Sequence, residues 1–87
     1  MSAEYDLLDC FIRNGDTLEL RQLYEMSGYS HNWAYKILRR LVLSGHIVKR
    51  AHGMYKITES GRIVHALMSA KFRVNKLKRS IDKREKV

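Results

Sequence analysis

The sequence predicts a mainly α-helical chain that carries one small β-hairpin and ends in a long helix. Three observations lead there. Between Leu20 and Leu41 two helical stretches are separated by a single turn at Gly28. From Ile47 to Thr58 the apolar spacing switches to a period of two around Ala51-His52-Gly53. From Ile63 onward apolar residues recur at alternating intervals of four and three. Helices bury a stripe at a 3.6-residue period and strands alternate their faces, so a change of period marks a change of element.

Residues 4–13 read as the first helix, with Leu7, Leu8, Phe11 and Ile12 forming an inward stripe. Asn14-Gly15-Asp16 ends it, because Gly accepts the left-handed conformation that closes helices. Cys10 serves as a small apolar filler on this helix. As the lone cysteine it has no partner for an intramolecular disulfide, which suits a reducing compartment. Thr17 is the expected N-cap of a second helix that runs to about Ser27, with Leu20, Leu23 and Tyr24 inward. Gly28 makes the turn. Ser30 caps a third helix ending near Ser44, and Ala34, Leu38 and Leu41 at i, i+4 and i+7 are its core face. Gly45 stops it.

The runs Ile47 to Arg50 and Met54 to Thr58 are β-prone, and Gly53 tolerates positive φ in the loop between them. Such a short loop makes a stubby hairpin, in which Ile47, Tyr55 and Ile57 are packing residues. Helical spacing resumes near residue 59. A helix over 60–83 is roughly 36 Å long at about 1.5 Å per residue.

On that helix Ile63, Leu67, Ala70, Val74, Leu77 and Ile81 form an a/d heptad repeat. A body of about 60 residues has a marginal core and cannot cover such a helix along its whole face. Its outer half needs an apolar partner, and the simplest is the same helix of a second copy. Val64, Met68 and Phe72 lie on an adjoining stripe and are expected to anchor the helix to the body. The chain thus divides into a body, residues 1–61, and a dimerisation helix with a basic tail, residues 62–87.

The net charge of +8 is segregated. Residues 1–30 hold two Lys or Arg against six Asp or Glu, net −4, whereas residues 31–87 hold fifteen against three, net +12. A field polarised in this way orients a molecule toward a polyanion. No apolar run approaches the roughly 20 residues that span a bilayer, and the polar N-terminus lacks a signal-peptide core. A cytoplasmic protein without a membrane partner is expected, since the heptads account for the apolar face of the basic helix. His31, His46, His52 and His65 lack metal-ligand spacing, and one cysteine does not complete a zinc site. A glycine-rich phosphate loop, a paired-carboxylate site and a nucleophile beside a base are all missing. The expectation is therefore no enzyme, no cofactor, no metal and no small-molecule ligand.

Two helices joined by a tight turn form a helix-turn-helix, whose second helix enters the major groove of DNA with its N-terminal residues on base edges. Here the exposed positions of helix 30–44 are Ser30, His31, Asn32, Tyr35 and Lys36, then Arg39 and Arg40. Asn32 suits a bidentate pair with adenine and Lys36 suits guanine acceptors. Arg39 and Arg40 suit phosphates, as do the free N–H groups of the helix N-terminus. Trp33, one residue before a core position, is expected to be partly buried with a structural role. The hairpin, residues 46–58, adds Lys49, Arg50, His52 and Lys56, with Arg50 and His52 at its tip facing flanking DNA.

These residues carry a resemblance. Leu20 to Gly61 resembles the winged helix-turn-helix superfamily, particularly MarR-like and ArsR-like bacterial and archaeal regulators. Ser30 to Leu41 followed by Gly45, Ile47 and Arg50 matches the recognition helix and first wing strand. Tyr55, Ile57, Thr58, Glu59 and Gly61 match the second strand and its exit. With the heptads included, the chain is similar to small archaeal winged-helix proteins that dimerise through a coiled coil, among them chromatin-associated proteins and regulators carried by archaeal viruses. The resemblance implies DNA binding as a homodimer. The short wing and the lack of a ligand domain depart from ligand-sensing relatives.

The leading expectation is a homodimeric double-stranded DNA-binding protein that regulates transcription. An architectural protein that coats or bridges DNA is the first alternative, because phosphate contacts alone supply non-specific affinity. A winged helix serving as an interaction module in a larger assembly is the second, and the basic third helix speaks against it.

Overall fold

A computed structural model describes the backbone of residues 2–85 and the side chains of residues 2–74. The elements run α1 (Ala3–Asn14), β1 (Thr17–Glu19), α2 (Leu20–Ser27), α3 (His31–Leu43), β2 (Ile47–Lys49), β3 (Met54–Ile57) and α4 (Glu59–Glu85), with a single 3-10 turn, Ala51–Gly53, between β2 and β3. The side chains of Leu77 and Ile81, the outer heptad positions, lie outside the described residues.

Local chemistry sets most boundaries. Ser2 caps α1 by accepting the Tyr5 N–H at 3.2 Å, and Gly15 closes it at φ 118°. Two expectations for this region fail. Thr17 does not cap a helix: Thr17-Leu18-Glu19 is a strand that pairs antiparallel with β3, Leu18 opposite Tyr55. Glu19 instead starts α2 with a capping box, in which its own N–H donates to the Gln22 side chain at 2.9 Å. Ile12 is not inward either. It is 40% exposed, and Cys10 takes the buried place on that turn with Leu7, Leu8 and Phe11.

The sheet is three-stranded, in the order β1-β3-β2. Ile47 pairs with Ile57 and Lys49 with Tyr55. Directly opposed residues share a face, so Ile47, Leu18, Tyr55 and Ile57 point into the core. They meet Leu7, Leu8 and Phe11 of α1, Leu23 of α2, and Ile37, Leu38 and Leu41 of α3.

Helix α4 is 27 residues long, about 40 Å at roughly 1.5 Å per residue. Its first half is fastened to α1. Tyr5 stacks on His65 at 4.8 Å, forms a T-shaped pair with Phe72 at 5.2 Å, and shares a 3.0 Å hydrogen bond with Ser69. His65 Nε2 lies 2.8 Å from Asp9. Val64, Met68 and Phe72 are half-buried on this face, as the adjoining stripe predicts. Ile63, Leu67 and Val74 are 54%, 65% and 50% exposed. At about 100° per residue their stripe lies about half a turn from the fastened face, so it points away from the body.

Candidate nucleic-acid interface

The turn between α2 and α3 is built by Gly28, left-handed at φ 77°. Ser30 then caps α3 by accepting the Trp33 N–H at 3.2 Å. The Tyr29 hydroxyl donates to Asp6 of α1, and this bond pushes the phenol's pKa above its ordinary value. The rings of His31 and Tyr24 meet in a T-shaped arrangement, with centroids 5.3 Å apart. These contacts hold the N-terminus of α3 against both preceding helices.

Burial of Ala34, Ile37, Leu38 and Leu41 fixes which side of α3 faces out. At about 100° per residue, Asn32, Lys36, Arg39 and Leu43 fall in line on the opposite side. Trp33 and Arg40 flank that line on one edge, Tyr35 and Val42 on the other. Ser30, His31, Asn32, Tyr35, Lys36, Arg39 and Arg40 are all exposed, but at about 100° per residue only Asn32, Tyr35, Lys36 and Arg39 share one face, with His31 and Arg40 on opposite edges of the helix. Trp33 is 43% exposed and stands outside the core cluster, so it is only half covered.

The hairpin adds Arg50 and His52, both exposed at its tip. His52 adopts φ 60° and Gly53 φ 72°, so the positive-φ position expected of the glycine extends to a histidine, a residue type enriched in that region. The Arg50 N–H closes the tip by donating to the Met54 carbonyl at 2.7 Å. Lys56 is placed apart from the others. It lies opposite Thr17 and Val48 on the outer face of the central strand, with Nζ 4.0 Å from Asp16. Lys49 is on the inner face opposite Tyr55 and closes a groove with Tyr35, Leu38, Arg39 and Val42. The sequence names Lys49 but does not show that it lines the same groove as Arg39. The inward-outward alternation from Ile47 is the signal for its side of the strand.

Pairing separates this surface from the rest of the body. Arg13 pairs with Asp9 at 2.7 Å and Arg21 with Glu25 at 3.0 Å, each one turn along its own helix. Among the described residues, Lys36, Arg39, Arg40, Lys49 and Arg50 have no carboxylate partner. Nor do the described residues include a cluster of three or more potential metal ligands. No helix among them is long and apolar enough to cross a membrane.

A three-helix body with a helix-turn-helix and a β-hairpin following its second member defines the winged helix-turn-helix fold. Solved structures of that fold superimpose on the chain. The MarR family transcriptional regulator SPO1453 from Silicibacter pomeroyi DSS-3 matches with a TM-score of 0.70 and 20% identity over 86% of this chain. The chain spans 55% of that regulator's length. Sso10a-2, a DNA-binding protein from Sulfolobus solfataricus, matches with a TM-score of 0.77 and 17% identity, covering 97% of this chain and 92% of the other. Neither a protein-family model nor a curated protein matches the sequence.

Proposed function

We propose that the protein binds double-stranded DNA as a homodimer and regulates transcription. Helix α3 enters the major groove, Asn32 and Lys36 meet base edges, and Arg39, Arg40, Arg50 and His52 hold the backbone on either side. The observation that carries this reading is the line of exposed residues on α3, whose cations lack acidic partners among the described residues while Arg13 and Arg21 are paired on the preceding helices. Unpaired cations on a convex helix are available to exchange counterions with phosphates. Residues 62–87 supply dimerisation through a coiled coil, supported by the apolar stripe that α4 turns away from its own body. Both matched proteins are described as DNA-binding or regulatory, which supports the same class. Such a protein works inside the cell.

A second reading has an observation of its own. Arg62, Lys71 and Arg73 are exposed along α4, so positive charge continues beyond the reading face. That favours an architectural protein bound through phosphates with little sequence preference. Selection of bound duplexes from a random library decides between them. Recovery of a near-palindrome with half-sites about 34 Å apart supports the regulator. Retention of unselected sequence with equal affinity supports the architectural role, and the absence of salt-dependent duplex binding removes both.

A further inference from the structure

The groove between α3 and the hairpin has a composition that base reading does not require. Its floor is Leu38, Val42 and Tyr55, its helix side carries Tyr35 and Arg39, and its strand side carries Lys49. Lys49 is there because of register. It opposes Tyr55 and therefore shares the inner face of the sheet with Ile47 and Ile57, but at the strand end, where the core gives way to solvent. Arg39 reaches the same groove from the third turn of α3, one turn beyond Lys36. Two cations facing one apolar floor from opposite walls repel each other, and neither has an acidic partner among the described residues. An anion between them relieves that repulsion, and the apolar floor weakens the competition from water.

We infer that this groove seats a single DNA backbone phosphate, held jointly by Arg39 and Lys49, and so fixes the hairpin to the recognition helix on the duplex. The inference rests on the DNA-binding reading and deepens it. It keeps Arg39 on the backbone, as proposed above, and gives Lys49 a part equal to that of the α3 residues. It also leaves base recognition to Asn32 and Lys36, which lie nearer the N-terminus of α3. Arg40, on the far edge of the helix, and Lys56, on the outer face of the sheet, take no part in the seat.

The test is the salt dependence of binding to a random-sequence duplex, measured for the full chain and for Arg39→Ala, Lys49→Ala and the double variant. Both side chains are exposed, so all three variants are expected to fold, and thermal melts check this. Each phosphate neutralised on B-DNA contributes about 0.9 to the slope of log affinity against log salt. If one phosphate is shared, either cation alone keeps it engaged. Each single variant then retains nearly the full slope, and the double variant loses about 0.9 per protomer. Losses of about 0.9 in each single variant and about twice that in the double mean two separate phosphates and overturn the seat. An unchanged slope in the double variant overturns it as well. If the unaltered protein shows no salt-dependent binding, the DNA reading itself fails, a result distinct from either of these.

Discussion

Gly61 has no room for a side chain. A Cβ at this position would overlap the His46 carbonyl oxygen and come within 2.8 Å of Ile57 Cγ1. The tightness follows from the start of α4. The Thr58 hydroxyl donates to the Gly45 carbonyl at 2.7 Å and accepts the Gly61 N–H at 3.1 Å. Ser60 lies 2.8 Å from His46 Nδ1, which ties the same helical turn to the end of α3. Gly61→Ala should therefore destabilise the protein by about 1–3 kcal/mol, the usual cost of overpacking. In a domain of this size that lowers Tm by about 4–8 °C per kcal/mol, and a melt unchanged from the parent would mean the contact yields freely. Cys10 gives a second test. Burial first, then the neighbouring Asp9 and Asp6, push its thiol pKa above the ordinary 9.0. Only the thiolate reacts readily, so Cys10 should resist an aromatic disulfide reagent at neutral pH until the protein is unfolded. The folded state holds the thiol proton more tightly than the unfolded state does. This contribution to stability is complete below pH 9.0 and is lost as pH climbs through the raised value.

Among the elements, α3 was legible from its residues because its signals are local. Ser30 caps it, Gly45 ends it, and the Ala34-Leu38-Leu41 stripe fixes its orientation, so the exposed set could be named in advance. Strand β1 was not legible. Thr17-Leu18-Glu19 is three residues long and directly abuts a helix, and only its pairing with residues 54–56 makes it a strand. A threonine there carries the local mark of a helix cap, and the distant partner decides otherwise. Ile12 misled for a related reason: apolar spacing marks a stripe, whereas packing partners decide how wide the buried part is. Lys56 appeared as one more cation of the hairpin until the third strand made its strand central and gave it Asp16 as a neighbour. The proposed reading face of α3 makes its own prediction. Asn32→Ala and Lys36→Ala should each remove about 1–3 kcal/mol of discrimination for a selected duplex, since a good base contact is worth that much. Binding to random duplexes should change far less. Competition titrations compare the two, and an equal loss on both would assign these side chains to phosphates instead.

At the scale of the molecule, α4 presents two faces with different duties. Tyr5, Asp9 and the core of the body hold the face that carries Val64, His65, Met68 and Phe72. Ile63, Leu67, Ala70 and Val74 lie about half a turn away, where nothing in the described chain covers them. A contiguous apolar stripe left in water is costly and marks an interaction surface. On the proposed reading its partner is the same helix of a second copy, which the heptad spacing supports. Two substitutions separate the faces. If the proposed dimer forms through this stripe, Leu67→Glu removes an apolar contact made only there and should yield a folded monomer by sedimentation, with a Tm independent of protein concentration where that of the parent rises. Val64→Glu places a charge against the core and should lower Tm at every concentration. Simultaneous engagement of two half-sites raises overall affinity by about 10²–10⁴-fold, so Leu67→Glu should weaken duplex binding on the order of a hundredfold while leaving α3 intact. If Leu67→Glu sediments as the parent does and binds DNA as tightly, the stripe does not join two copies. The paired recognition helices would then have to be abandoned in favour of one body acting alone.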